Sequence, residues 1–251
     1  MTQHIVIEST PSLVQHQFED RHQQKEAATL GMWTFLATEV LFFGGLFMSY
    51  TVCRHLYPED FRQGAMNLKW FLGAINTAVL LFSSFTMAMA VHSGAVGSNP
   101  KIVRYLVLTI LIGCVFLVIK GTEYYIEYRE HLIPGLNFSL EKPSEDQVGT
   151  FARAFEKADD WFSKISPPVN KQEKRDYPQQ LFFLFYFIMT MIHATHMIIG
   201  ICIMIVLIQM ARRNTFSAKY HNPIEIFGLY WHFVDIVWVF LLPTLYLLRS
   251  P

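Results

Sequence analysis

The charged side chains of this chain avoid five long apolar segments. These segments cover residues 28–52, 70–92, 102–125, 181–211 and 226–248. Of the 20 basic and 20 acidic residues in the chain, only five lie in them: Glu39, Arg104, Lys120, Glu123 and Asp235. About 20 apolar residues, at about 1.5 Å each, cross the roughly 30 Å hydrocarbon core of a bilayer, and a helix satisfies its own backbone there. The pattern predicts an all-α polytopic membrane protein, with five transmembrane helices in one bundle.

The remaining residues divide into a tail and connections. Residues 1–27 form a polar N-terminal tail without the features of a secretory signal, so the first helix is the expected targeting element of a membrane domain at 28–248. A long, charged loop at 126–180 separates the third and fourth helices. Within it, residues 144–165 place Val148, Phe151, Phe155 and Phe162 near helical spacing. This amphipathic segment either covers the protein's own surface or docks a partner protein.

Charge and motifs exclude several function classes. The formal net charge is zero, so we expect no nucleic-acid partner. Cys53, Cys114 and Cys202 are too far apart to form a metal clip or a haem-attachment motif. Motifs for phosphate binding, nucleophilic triads and dinucleotides are missing. No reaction follows from the residues alone.

Basic residues indicate the orientation. With a cytoplasmic N-terminus, the short inside segments carry seven basic residues: Arg21, Lys25, Lys101, Arg104, Arg212, Arg213 and Lys219. The short outside segments carry four: Arg54, Arg62, Lys69 and Arg249. We therefore expect the C-terminus and the 126–180 loop on the periplasmic side.

Glu39 lies near the middle of the first apolar segment, where a carboxylate is costly. Two interpretations remain open. Glu39 is either a proton-exchanging group or a protonated carboxyl that bonds a neighbouring helix or a lipid.

Polar residues on the last three helices occur in pairs three residues apart: Lys120 with Glu123, His193 with His196, and His232 with Asp235. The first pair predicts a structural ion pair on one helix face. For all six we favour an interhelical polar cluster, with no metal bound. A four-ligand metal site drawn from the same residues is the alternative.

Small and aromatic residues complete the helix pattern. We expect close interhelical packing at eight small or polar positions: Gly44, Gly45, Asn76, Thr77, Ser83, Ser84, Gly113 and Gly200. We expect interfacial anchors among five aromatic residues: Trp33, Tyr230, Trp231, Trp238 and Tyr246.

Five motifs follow one another along the chain: GMWTFLATEVLFFGGLF, INTAVLLFSS, GTEYY, HATHMIIG and LYWHFVDIVWVFLLPTLY. In this order they resemble subunit III of haem-copper oxidases, in the cytochrome c oxidase branch and in its five-helix bacterial form. The resemblance covers all five helices. Lys120 stands where that family commonly has Gln, and an insertion around residues 137–178 exceeds the usual connection.

The resemblance implies an accessory subunit of a proton-pumping complex in the bacterial inner membrane. Such a subunit binds no haem or copper itself, packs against the catalytic subunit I in a complex with subunit II, and binds phospholipid. It implies that Glu39 is the carbodiimide-reactive carboxyl beside the lipid, near the side of proton uptake. Glu123 and the residues His193, His196, His232 and Asp235 match positions of the family motifs. Residues 126–180 are a candidate contact for a cytochrome c donor or a larger respiratory assembly.

Three alternatives remain at this point. The first is a related subunit of a quinol oxidase or nitric oxide reductase. The second is a stand-alone proton-coupled transporter that uses Glu39 and Glu123, and the third is a b-type haem protein. The transporter lacks paired repeats. The haem protein is disfavoured because His193 and His196 share a helix turn and cannot hold one haem from opposite faces.

Overall fold

The computed structural model describes residue 18 and residues 20–129, 176–218 and 220–247. In these ranges the chain forms six α-helices and a terminal π-helical turn. The helices are α1 (Arg21–Leu56), α2 (Pro58–Asn67), α3 (Trp70–Ala95), α4 (Asn99–Arg129), α5 (Asp176–Arg212) and α6 (Asn222–Leu242), and the π-helical turn is Pro243–Leu247. All except α2 are long and apolar enough to cross a membrane. The predicted all-α fold with five transmembrane helices is confirmed.

The helices begin at or before the apolar segments that predicted them, and all except α6, which ends at Leu242, also extend beyond them. α1 begins inside the expected 1–27 tail because Asp20 caps it, its carboxylate accepting a hydrogen bond from the Gln23 amide at 2.7 Å. α4 and α5 likewise extend into the 126–180 loop. Hydropathy reports only the part of a helix within the bilayer, whereas the backbone hydrogen bonds continue into water. The predicted amphipathic segment at 144–165 lies outside the described residues.

The short helix α2 was not predicted. Pro58 occupies its first turn, and Glu59 and Asp60 follow at the end where the helix dipole favours acidic side chains. Its apolar side is buried against the start of α5, where the rings of Phe61 and Phe182 lie 5.7 Å apart. α2 therefore holds the C-terminal end of α1 close to the start of α5.

α3 and α4 form an antiparallel hairpin. The connection contains Gly97 with φ of 77°, a conformation that L side chains rarely adopt. A Cβ at this position would also lie 2.9 Å from the Ala218 amide nitrogen. Further along the hairpin, the hydroxyls of Thr86 and Thr109 lie 2.8 Å apart and join the two helices.

α6 is the centre of the bundle and α1 is its edge. α6 packs against α1, α3 and α5. Half of its most apolar stretch is buried, whereas only 11% of the corresponding stretch of α1 is buried. α1 leaves large apolar side chains uncovered, including Trp33 and Leu41. One side of α1 is therefore available to lipid or to another subunit.

The structure divides the predicted packing glycines into two groups. A Cβ on Gly200 would lie 2.7 Å from the Trp231 ring, and one on Gly113 would lie 3.4 Å from it. These two glycines permit close helix packing, as expected. Gly44 and Gly45 on α1 have no neighbouring atoms within 4 Å of such a Cβ, so the same prediction is wrong for them within this chain.

The aromatic residues expected to include interfacial anchors divide into one exposed and four buried side chains. Trp33 is exposed as an interfacial anchor would be, but four others expected among the anchors are buried in the bundle: Tyr230, Trp231, Trp238 and Tyr246. Their burial leaves no hydroxyl or indole nitrogen unpaired, because each finds a hydrogen-bond partner inside the protein.

Candidate functional site

A cavity of about 830 Å³ opens between α1, α5 and α6. Its walls are mainly apolar, with Met32 and Phe35 from α1 and Ile199, Ile203 and Leu207 from α5 among them. The cavity exists because α1 packs loosely at the edge of the bundle. Nothing in the sequence indicated this cavity, since α1 lies far along the chain from α5 and α6.

Glu39 forms part of the cavity wall together with His196. Their facing atoms, Glu39 Oε2 and His196 Nε2, lie 3.3 Å apart, and each side chain is less than one fifth exposed. This is ion-pair distance, although Glu39 Oε2 has no hydrogen bond of good geometry within the described residues. Glu39 thus has a titratable partner on another helix, which sequence reasoning did not identify.

The backbone determines which imidazole nitrogen faces Glu39. His196 Nδ1 lies 2.9 Å from the Ile192 carbonyl oxygen, which can only accept, so Nδ1 carries a hydrogen. In a neutral ring Nε2 is then an acceptor directed towards the carboxyl group. The Tyr230 hydroxyl donates to the His196 carbonyl at 2.8 Å and holds α6 against this part of α5.

Lys120 and Glu123 form a second polar group, which is buried in the bundle core. The Lys120 ammonium donates to Glu123 Oε2 at 2.8 Å, to the Tyr186 hydroxyl at 2.8 Å and to the Tyr246 hydroxyl at 2.7 Å. Tyr246 in turn donates to Glu123 Oε1 at 2.7 Å. The two charged side chains are each 2% exposed. The network ties α4 and α5 to the π-helical turn after α6.

Sequence reasoning missed both tyrosines of this network. Tyr186 lies in a long apolar run without any distinguishing signal, and Tyr246 was grouped with the interfacial aromatic residues. The ammonium of Lys120 also lies 5.2 Å from the ring centres of Tyr124 and Trp238. Aromatic faces stabilise a cation in such an arrangement.

The other polar residues occupy separate positions. His193 is buried between the rings of Phe116 and Trp238, at 5.6 and 5.1 Å. His232 Nδ1 lies 2.7 Å from the Ser84 hydroxyl on α3, and the same hydroxyl lies near the Asp235 carboxyl.

The six residues predicted as one interhelical cluster are therefore not joined by one continuous network of hydrogen bonds. The structure joins Lys120 to Glu123, and it directs His196 to Glu39 and His232 to Ser84. His193 and His196 diverge because they pack against different helices: His193 lies against Phe116 on α4 and Trp238 on α6, whereas His196 faces Glu39 on α1. In the described ranges, no three His, Cys, Asp or Glu side chains come close enough together to hold a metal ion.

Five spanning helices around buried polar side chains define a polytopic integral membrane protein. The sequence profile of the family described as "Cytochrome c oxidase subunit III" matches residues 5–128 and 179–250. The chain therefore belongs to the cytochrome c oxidase subunit III family. It is a component of a haem-copper oxidase, an oxidoreductase complex with other subunits. The unmatched stretch between the two ranges, residues 129–178, contains the whole insertion predicted around 137–178.

Named relatives come from two branches of the family. "Cytochrome c oxidase subunit 3" of Thermostichus vulcanus is 28% identical over 232 residues, covering 90% of each chain. "Probable quinol oxidase subunit 3" of Staphylococcus aureus (strain USA300) is 28% identical over 235 residues, covering 92% of this chain and 93% of that protein. "Cytochrome c oxidase subunit 3" of Pelomedusa subrufa is 27% identical over 225 residues, covering 86% of this chain but 67% of the relative. The Thermostichus vulcanus and Staphylococcus aureus relatives match nearly end to end, whereas the Pelomedusa subrufa relative is longer.

Proposed function

We propose that this chain is the accessory subunit III of a proton-pumping cytochrome c oxidase. In this role it stabilises the catalytic subunit I, binds phospholipid and supports proton uptake during the reduction of oxygen to water. Haem and copper belong to the partner subunits I and II in this proposal. The observation that carries it is the Glu39 and His196 pair in the wall of a mainly apolar cavity.

The cavity suits a phospholipid acyl chain. Ligand pockets commonly measure about 300 to 1,000 Å³ and are largely apolar with a few polar groups, and this cavity fits both descriptions. It lies on the loosely packed side of α1, where a lipid would cover apolar side chains that the bundle leaves open. A bound lipid would also fix α1 against α5 and so stabilise the surface offered to subunit I.

The pair in the cavity wall is suited to hold one exchangeable proton. His196 Nδ1 already carries a hydrogen, so the pair can take up one further proton, either on the Glu39 carboxyl or on His196 Nε2. Whether that proton resides on the oxygen or on the nitrogen, the pair has no net charge. Moving it between the two atoms therefore avoids placing a net charge in a medium of low dielectric constant. Such a group can buffer and relay protons next to an uptake route.

The test of the proton role is Glu39→Gln in the purified complex. Gln keeps the size and hydrogen-bonding capacity of a protonated carboxyl, so the complex should assemble normally. Steady-state turnover and the lifetime of the active enzyme should both fall, because an amide cannot accept or release this proton. The matched control is Glu59→Gln, since Glu59 is an exposed carboxylate on α2 paired with Arg62. Unchanged turnover and lifetime in Glu39→Gln would leave Glu39 a purely structural role.

The test of the lipid role fills the cavity. Ile203→Trp places a large ring in the cavity, so mass spectrometry of the purified complex should find less tightly bound phospholipid. Leu111→Trp is the control, because Leu111 is an exposed apolar residue on α4 that does not line the cavity. Equal lipid content in the two variants would exclude this cavity as the binding site.

A quinol oxidase is the second candidate for the complex. The similarity to the Staphylococcus aureus protein favours it as much as the similarity to the Thermostichus vulcanus protein favours the cytochrome c branch. Assaying the purified complex with reduced cytochrome c and with a reduced quinol separates the two. Oxidation of cytochrome c, together with a copper-binding subunit II in the preparation, is the result that we expect.

We also propose that the protein resides in a bacterial inner membrane with its N-terminus in the cytoplasm. Two observations support this proposal. The bacterial relatives match nearly end to end, and the short segments on the N-terminal side of the bundle carry more basic residues than those on the other side. Single cysteines introduced by Glu59→Cys and Lys101→Cys in a cysteine-free background test it. A membrane-impermeant maleimide applied to intact spheroplasts should label the first variant only. Labelling of the second alone would reverse the orientation.

A further inference from the structure

Trp238 lies at the centre of the bundle, on α6. Its side chain is 0% exposed, and its ring contacts those of Phe116 on α4 and His193 on α5. Its indole nitrogen donates to the Thr77 hydroxyl on α3 at 3.1 Å. Four helices therefore meet around this one side chain.

Three buried polar side chains near Trp238 lack a hydrogen bond of good geometry in the described part of the chain, although the Ser84 hydroxyl lies near one of them, Asp235. Asn76, His193 and Asp235 are at most 3% exposed, and none of their side-chain nitrogen or oxygen atoms has a good hydrogen bond within the described ranges. His193 contacts the Trp238 ring directly. Asp235 precedes Trp238 by three residues on the same buried face of α6, and Asn76 is adjacent to Thr77. All three therefore lie within about one helical turn of Trp238 along the bundle axis.

The environment of Trp231 differs on the same helix. Trp231 is also 0% exposed, and its indole nitrogen also donates to a hydroxyl of α3, that of Ser83, at 3.1 Å. Its ring, however, packs against Gly113, Gly200 and neighbouring apolar side chains. Of the three side chains, His193 contacts the Trp238 ring and Asn76 adjoins the residue that Trp238 bonds, whereas Asp235 lies on α6 between the two tryptophans. More of the unpaired polar atoms therefore lie at Trp238 than at Trp231.

Buried polar groups in folded proteins are paired with protein groups or with ordered water, and each such water makes two to four hydrogen bonds. We propose that the region around Trp238 is a binding site for ordered water, ligated by Asn76, His193 and Asp235. Amide, imidazole and carboxyl groups supply both donors and acceptors, which suits water.

The site would connect two polar groups that share no direct contact. The Lys120 ammonium lies 5.2 Å from the Trp238 ring on one side. On the other side, the Ser84 hydroxyl lies near Asp235 and bonds His232. Water between them would extend the Lys120 and Glu123 network through the bundle core to the contact between α3 and α6.

Radiolytic hydroxyl-radical footprinting of the purified complex tests the site, because radicals generated from bound water oxidise the side chains next to it. Trp238 should be oxidised severalfold faster than Trp231, although both are fully buried. Oxidation of Trp238 as slow as that of Trp231 would overturn the proposal and indicate that the three side chains pair with one another instead. This comparison needs no variant and does not depend on oxidase activity.

A variant supplies the second measurement. Asn76→Leu removes two of the polar atoms while keeping a similar volume, so Trp238 oxidation should decrease and Trp231 oxidation should not change. An equal rate at Trp238 with and without Asn76 would overturn the site as proposed. A rise at both tryptophans would show that radicals reach the whole core from bulk solvent, which would overturn the proposal.

Discussion

Lys120→Met tests whether the buried ion pair stabilises this bundle. Met keeps the apolar stem of the side chain but removes the ammonium group, which leaves Glu123 buried without its cation and removes the donor to Tyr186 and Tyr246. Removing one partner of a buried ion pair lowers the stability of the fold by about 3 to 5 kcal/mol, because the remaining charge is uncompensated. We expect a loss of this size in the free energy of unfolding.

A matched ion pair elsewhere in the chain provides the control. Arg62 and Glu59 have the same spacing of three residues and the same separation of 2.8 Å, but their side chains are 26% and 65% exposed. Solvent screens such a pair, so Arg62→Met should cost about 0 to 1 kcal/mol. The difference between the two variants isolates the effect of burial.

The double variant Lys120→Met with Glu123→Gln completes the test. The amide introduced by Glu123→Gln carries no charge and can still accept a hydrogen bond from Tyr246, so most of the lost stability should return. The assay is a detergent-denaturant titration of the purified complex, with the folded fraction of this chain measured by pulse proteolysis. If Lys120→Met costs no more than Arg62→Met, or if the double variant is less stable than the single one, the reasoning from uncompensated buried charge is wrong.

Three further predictions use the same complex. Gly200→Ala should destabilise the subunit by about 1 to 3 kcal/mol, because the added Cβ would lie 2.7 Å from the Trp231 ring. The control Gly121→Ala should not destabilise it, because no atom lies within 4 Å of a Cβ at that position. Pulse proteolysis of both variants measures this, and equal stability would contradict it. His232→Leu should weaken retention of the subunit by subunit I while the haem spectrum stays normal, because it removes a hydrogen bond between α3 and α6; loss of a metal in elemental analysis would instead support a metal site. Deletion of residues 144–170, outside the described ranges, should spare the five-helix core but reduce co-purification of a partner, and full retention of every partner with unchanged donor kinetics would show that the insertion only covers this subunit.

The contrast between the glycines shows where prediction from local pattern ends. Gly44 and Gly200 both lie in apolar helices and were assigned the same role. Only Gly200 faces a neighbouring ring, because α5 is inside the bundle and α1 is at its edge. A residue's type sets what contact it permits, but the position of its helix decides whether the contact is made.

The sequence alone determined the membrane-spanning fold, because exclusion of charge from the bilayer is a property of each segment by itself. It also placed Lys120 and Glu123 on one helix face, because their spacing is local. Only the tertiary structure decided that His196 faces Glu39, that Tyr186 and Tyr246 complete the buried ion pair, and that a cavity opens beside α1. These contacts join residues far apart in the chain, and they depend on helix packing, which a pattern within one helix does not encode.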